Sequence, residues 1–194
     1  MEALGRVSAS DLRSPVSRKR VLLKGALITP RVIGSLAEAG IDRVFIYQKP
    51  RISLLAIGDK LMAPGMTPAP GKSYDSSNPM LQAALGAMQI RPVFMRRLAD
   101  EPKLLKRLIP FTLNQSDIVI LVIKEAGRGY ALVREILKKL DVKVVDLFTS
   151  PEVASLSVSK KVIFCLPYHP ESVLNSFYTH VRPVIHFFMG HAKH

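Results

Sequence analysis

The sequence predicts an α/β fold: three layers, with helices on both faces of a mostly parallel sheet, preceded by a small N-terminal β-rich segment. Two observations carry that expectation. Short, continuous apolar runs recur at Ile52–Ile57, Ile118–Ile123 and Val162–Leu166, the pattern of strands buried on both faces. Segments with apolar residues at helical spacing lie between them, and strands that alternate with helices pair in parallel, because a helix returns the chain to the same sheet edge. The length of 194 residues suits one domain with a small appendage, and a hydrophobic content of 48% gives ample material for a core.

The elements follow in order. Arg13, Arg18, Lys19, Arg20 and Lys24 crowd a stretch that includes Val21-Leu22-Leu23, which reads as a short strand with a solvated basic rim. Thr29-Pro30 is an N-cap followed by proline in the first turn. Ile33, Leu36 and Ala37 keep helical spacing, and Gly40 is a natural stop. Ile41–Tyr47 reads as strand. Lys49-Pro50 breaks it and marks a boundary between an N-terminal segment, 1–50, and an α/β domain, 51–194. Ile52–Ile57 ends in Gly58-Asp59 and leads into a Pro/Gly loop. A helix starts near Asn78-Pro79 and carries Leu81, Ala84, Leu85 and Met88. Arg91–Met95 reads as a strand, and residues 102–115 as a helix that Pro110 should kink or split. Ile118–Ile123 is the strongest strand pattern. Residues 130–140 form an amphipathic helix, and Val142–Leu147 and Val162–Leu166 are further strands. The uncharged stretch after Phe148 reads as a loop. A last helix runs from Pro170 to Phe188, with Pro183 as a kink point.

Charge and composition narrow the function classes. Lys+Arg 28 against Asp+Glu 15 leaves a net charge of +13, which favours anionic partners: phosphorylated small molecules, nucleic acid or acidic membranes. Nucleic acid is the weakest of these, since no recognised motif is present, tryptophan is absent and aromatics make up 7%. No apolar run approaches the ~20 residues needed to span a bilayer, and the N-terminus lacks the layout of a signal peptide. The single Cys165 excludes an intramolecular disulfide and a thiolate metal cluster. The expectation is a soluble, cytoplasmic protein.

Ligands of open parallel sheets bind beyond the carboxyl ends of the strands. That rule picks out Gly58-Asp59, the turn Ile123–Gly127, the loop after Leu147, and Leu166-Pro167-Tyr168-His169-Pro170. Asp59 reads either as a turn cap or as a carboxylate aimed into the crevice. Asp75, just before a helix, reads as a cap, and the same helix terminus is able to bind an anion. Gly127 and Gly129 permit close backbone approach to a phosphate, although their spacing fits no standard phosphate loop. The two prolines around Tyr168-His169 make a rigid turn, in which His169 is read mainly as packing and less readily as a general base. His186, His191 and His194 lack an acidic companion, so no metal is assigned, and Cys165 reads as a small core residue.

These residues together resemble the molybdopterin molybdenumtransferase family, which includes MoeA and the E domain of gephyrin. The stretch Arg51-Ile-Ser-Leu-Leu-Ala-Ile-Gly-Asp-Lys-Leu61, a Pro/Gly loop and Tyr74-Asp75-Ser76-Ser77-Asn78 resemble the family's strand ending in Thr-Gly-Asp-Glu-Leu, its loop and its Tyr-Asp-Ser-Asn. Asp117–Ile120 matches the strand before the family's Gly-Gly-Val-Ser turn, and Leu166–Pro170 stands where the family has Leu-Pro-Gly-Asn-Pro. The resemblance implies that the domain binds a phosphorylated pterin dithiolene, molybdopterin, delivered in adenylylated form for molybdate insertion. It implies Asp59 and Asp75 as the acidic, catalytic positions. Gly58, Tyr74, Ser76, Asn78, Pro167 and Pro170 would be positions that contact the ligand.

Four departures qualify that expectation. Lys60 stands where the family has Glu. The Gly-Gly-Val-Ser turn falls on Ile123-Lys124-Glu125-Ala126, and the family's Lys-Pro-Gly-Lys-Pro loop falls near Ser150–Ala154 without its lysines. Tyr168-His169 replaces Gly-Asn. Most of the lobe that completes the site from a second subunit is also missing. The sequence therefore predicts a molybdopterin-binding-like protein of molybdenum cofactor biosynthesis with reduced or lost insertion activity, weak magnesium binding, and a pathway enzyme or second subunit as partner. The alternative is a non-catalytic interaction or regulatory module on the same fold.

Overall fold

The computed structural model describes residues 6–15, 17–67, 69–124, 127–140, 142–146 and 161–190. The chain forms two compact units, Arg51–Val181, which holds the sheet, and Met1–Pro50 together with Arg182–His194. Within the smaller unit, Gly190, with φ +77°, lies where the Tyr47 ring fills the space of a Cβ.

In the smaller unit, β1 (Leu12–Arg13) and β2 (Arg20–Leu22) pair antiparallel. Helix α1 (Pro30–Glu38) starts as its sequence directs: Thr29 Oγ1 accepts the Val32 N–H at 3.3 Å, and Pro30 follows. Gly40 ends it at φ +70°. Of the expected apolar face only Leu36 is buried. The strand expected at Ile41–Tyr47 is reduced to a single bridge, Ser8 to Ile46. The segment pairs with Val7–Ala9 through two bonds, Ala9 N–H to the Phe45 carbonyl and Tyr47 N–H to the Val7 carbonyl, and Phe45 is 75% exposed. Helix α6 (Arg182–Phe188) carries Pro183 as its second residue.

In the larger unit, β3 (Ile52–Ile57) leads to a ribbon of β4 (Leu61–Met62) and β5 (Ser73–Tyr74), then to α2 (Ser77–Ala87), β6 (Phe94–Leu98) and α3 (Pro102–Gln115). Next come β7 (Ile118–Ile123), α4 (Arg128–Leu137), β8 (Lys143–Asp146), β9 (Val162–Pro167), α5 (Pro170–Ser176) and a π-helical turn, Phe177–Val181. The strands order as β6-β3-β7-β9-β8, every pair parallel. Leu105, Ile109 and Leu113 of α3 and Val133, Ile136 and Leu137 of α4 pack with Leu55, Ile57, Leu121 and Ile123 on one face. Helices α2 and α5 touch β3, β9 and each other, burying Leu81, Leu85 and Val173.

Two elements depart from their sequence patterns. Strand β6 starts at Phe94 and runs through Arg96 and Arg97 to Leu98. As an edge strand it presents these charges to solvent, a common guard against edge pairing. Helix α3 is not split by Pro110. The missing N–H frees the carbonyl of Lys106, an exposed residue that water can reach. Among the described residues no helix is long and apolar enough to cross a membrane.

The winding fixes where a ligand can enter. The chain leaves β3 for β6 on one side and then crosses to β7 on the other. The turns after β3 and β7 therefore diverge, opening a crevice at their carboxyl ends.

Candidate functional site

A cavity of about 300 Å³ occupies that crevice, with Gly58, Asp59 and Lys60 after β3, Lys124 and Gly127 after β7, and Asp100 after β6 among its walls. All of these residues belong to the larger unit. Gly58 turns the chain at the end of β3, its N–H bonding the Leu98 carbonyl at 2.9 Å while its own carbonyl accepts from Leu61 at 3.2 Å. Asp59 then faces the mouth, 51% exposed. Its Oδ1 accepts the Asp100 N–H at 2.6 Å, and its Oδ2 lies 3.7 Å from Arg128 Nη2.

Asp100 is held tightly. Its carboxylate sits against the backbone of Gly129 at the start of α4, where a Cβ would come within 2.6 Å of Oδ1. A glycine is thus required for this contact. Burial, joined by the negative charge of Asp59, pushes the Asp100 carboxyl above its ordinary range; Arg128 and a bond from the Gly129 N–H pull the other way.

Cations ring the same opening. Lys60 and Lys124 line it, and Lys72 Nζ donates to the Asp59 carbonyl at 3.3 Å. Two tyrosines complete the walls. The Tyr168 and Ser73 hydroxyls bond at 3.3 Å, linking the turn after β9 to β5. The Tyr130 hydroxyl donates to Asp146 Oδ2 at 2.7 Å, and Arg134 lies 3.9 Å from the same oxygen. Burial and that acceptor push the Tyr130 phenol up to about 12, so it stays a donor. Cys165 is a buried core residue whose thiol burial pushes up to about 12.

The predicted positions divide. Gly58 and Asp59 line the cavity; Asp75, Tyr74, Ser76, Asn78, Pro167 and Pro170 are not among its lining residues. Asp75 is fully buried and caps α2: Oδ1 accepts the Asn78 N–H at 3.1 Å, Oδ2 accepts Asn78 Nδ2 at 2.9 Å, and Arg97 Nη1 lies 3.7 Å away. Asn78 is held by this cap and by the Arg96 carbonyl at 3.3 Å. Ser76 is the residue before α2 and makes no capping bond with its side chain. The Tyr74 hydroxyl donates to the Met66 carbonyl at 2.7 Å. Pro167 ends β9 in register with Ile123, and Pro170 opens α5. Ser73, Asp100 and Tyr130 line the cavity without having been singled out as site residues. Glu125, Ala126, the loop after Leu147 with Ser150–Ala154, and His191 and His194 lie outside the described residues.

The donor set does not suit a divalent cation. Among the described residues no three His, Cys, Asp or Glu side chains gather, and both Asp59 oxygens are already met by an N–H and a guanidinium.

A family model described as "Probable molybdopterin binding domain" matches residues 53–186. The chain belongs to this family. It is 28% identical over 171 residues to molybdopterin molybdenumtransferase 1 of Mycobacterium tuberculosis, covering 86% of this chain and 40% of that protein. It is 29% identical over 168 residues to the molybdopterin molybdenumtransferase of a Nostoc species, covering 83% of this chain and 38% of that protein. The chain thus spans about two-fifths of the length of these relatives. The fold is similar to that of a molybdopterin biosynthesis MoeA protein from Pyrococcus horikosii, with a TM-score of 0.67, 23% identity, and coverage of 90% of this chain and 44% of that one. Both the molybdopterin-binding-domain assignment and the three-layer architecture read from the sequence are borne out.

Proposed function

We propose that this molybdopterin-binding-type domain takes a phosphorylated pterin of the molybdenum cofactor pathway into the crevice between β3 and β7, and that it does not complete molybdenum insertion alone. The observation that carries the reading is a cavity at the switch point of a family-matched sheet that offers the three chemistries such a ligand needs. The half-exposed carboxylate of Asp59 suits the N–H-rich edge of a pterin. The rings of Tyr130 and Tyr168 suit its flat face, and Lys60 and Lys124 suit a phosphate. The volume of about 300 Å³ lies at the small end of the ~300–1,000 Å³ typical of ligand pockets, enough for the pterin end of a larger molecule.

Loss of insertion activity is supported by the substitutions at the mouth. By the resemblance, Lys60 reverses a charge, and Tyr168, which lines the cavity, puts bulk where the family has glycine. A second subunit or a pathway enzyme would then supply the remaining surface. The test is expression of the chain in hosts with and without an intact pterin pathway, followed by release and oxidation of any bound ligand. A fluorescent oxidised pterin in stoichiometric amount is expected from the intact host alone, and its loss in Asp59→Ala ties it to this crevice. An empty protein that also ignores added phosphopterin in equilibrium titration would reject the reading and favour a pure interaction module.

A further inference from the structure

Two acidic residues beside one cavity need a counter-charge, and this chain carries its own. The hydrogen bond from the Asp100 N–H to Asp59 Oδ1 at 2.6 Å brings the two acidic residues to the same edge. The Arg128 guanidinium stands 3.7 Å from Asp59 Oδ2 and its charge also acts on Asp100. Lys60 and Lys124 line the same opening, and Lys72 Nζ is fixed on the Asp59 carbonyl. Four cations thus stand at this end of the sheet, Lys60 and Lys124 in the cavity lining and Arg128 and Lys72 on Asp59. A divalent ion would have to displace a guanidinium and approach past three ammonium groups, with no third acidic side chain to meet it among the described residues.

We propose that Arg128 takes the place of a divalent cation at Asp59, and that Lys60 and Lys124 receive the ligand's phosphate directly, so that the domain binds its phosphorylated ligand without metal. This rests on the phosphopterin reading of the cavity and adds how the phosphate is received. The charge count supports it: once Arg128 and one further cation balance the carboxylates, two positive charges are left for a phosphate monoester, which is close to a dianion at neutral pH. Position supports it as well, since Lys60 directly follows Asp59 and lines the same cavity.

The experiment has two arms on the full chain. In the first, magnesium alone is titrated by calorimetry at fixed ionic strength. The unmodified chain is expected to show no saturable uptake through the millimolar range, whereas Arg128→Gln gains a site. The Arg128 side chain is 78% exposed, so a folded variant is expected, and its melting curve checks this. Micromolar magnesium binding by the unmodified chain, or no gain in folded Arg128→Gln, overturns the proposal. In the second arm, an oxidised phosphopterin and its dephosphorylated counterpart are titrated by fluorescence in chelator and in magnesium. Equal affinity in both media is expected, with a loss of about five-fold in Lys124→Ala. Binding only in magnesium overturns this inference but upholds the pterin site. If neither pterin binds, the phosphopterin reading falls, and the magnesium arm still decides the role of Arg128.

Discussion

Asp59 and Asp75 both follow a strand and open a polar turn, and the same family motifs contain both, yet they serve different ends. The Asp75 side chain is fully buried, with both oxygens committed within its own turn and to Arg97. The Asp59 side chain is 51% exposed and meets groups from two other strand-end segments, the Asp100 N–H and Arg128. A carboxylate that satisfies itself locally holds a helix in place. One whose partners come from distant parts of the chain stands where those parts diverge, and there a ligand can compete for it. The contrast separates an acid whose bonds close within its own turn from one that stands open at the cavity mouth.

The largest expected effect breaks the contrast on its structural side. Asp75→Ala removes the acceptor of the Asn78 N–H in the first turn of α2 and the buried partner of the Asn78 amide, and is expected to cost about 2 kcal/mol of stability. Asp59→Ala removes one half-exposed bond and a long, solvated ion pair, and is expected to cost about 0.5 kcal/mol. Denaturant midpoints of the two variants, read with unchanged slopes, check this. The ordering should invert for phosphopterin affinity, which falls in Asp59→Ala and survives in the folded fraction of Asp75→Ala. Equal stability losses would show that the two acids are not doing different jobs.

Asp100 tests the same divide through pH. Its folded-state carboxyl is pushed up, by burial first and then by Asp59. The folded state therefore holds that proton more tightly than the unfolded chain does. The stabilisation is fully present below the ordinary carboxylate value and is lost as pH rises through the raised one. Asp100→Asn removes the titration, so its stability relative to the unmodified chain should rise from acid toward neutral pH, by less than Asp75→Ala costs. A difference that stays flat across that range would mean that Arg128 and the Gly129 N–H cancel the burial.

Much of this was legible in the sequence, for physical reasons that also explain the gaps. Runs such as Ile118–Ile123 are apolar throughout because both faces of a central strand are covered, and Asp59 follows from the end of such a run. Asp100 obeys the same strand-end rule, but β6 is an edge strand whose Arg96 and Arg97 read as the end of an element, so the rule stopped at Met95. Ser73 belongs to a ribbon strand of two residues, too short for any periodicity. Tyr130 lines the cavity from the first turn of α4, where Gly129 packs on Asp100, a contact between segments far apart in sequence. Asp75 was readable both as a cap and, through its motif, as a site residue; only the burial of its carboxylate makes the capping role plain.

The smallest expected effect sharpens the contrast at the mouth itself. Lys60 lies one residue beyond Asp59 and lines the same cavity. An ammonium there opposes a divalent ion by repulsion and by competition for the carboxylate. Opposite charges ~4 Å apart near a surface interact by roughly 4 kcal/mol before screening, of which exposed pairs retain about 1 kcal/mol or less. Lys60→Glu removes that opposition and adds a second exposed acid, but leaves Arg128 in place. Magnesium affinity should therefore rise only a few-fold, about the amount one exposed charge pair supplies, and by less than in Arg128→Gln. The gain should shrink as salt is raised, since the interaction is solvent-screened. Calorimetry of the two variants at two ionic strengths measures both trends. If Lys60→Glu gains more than Arg128→Gln, the lysine and not the guanidinium is the principal barrier to the ion, and Asp59 is then freer than its 3.7 Å approach to Arg128 implies.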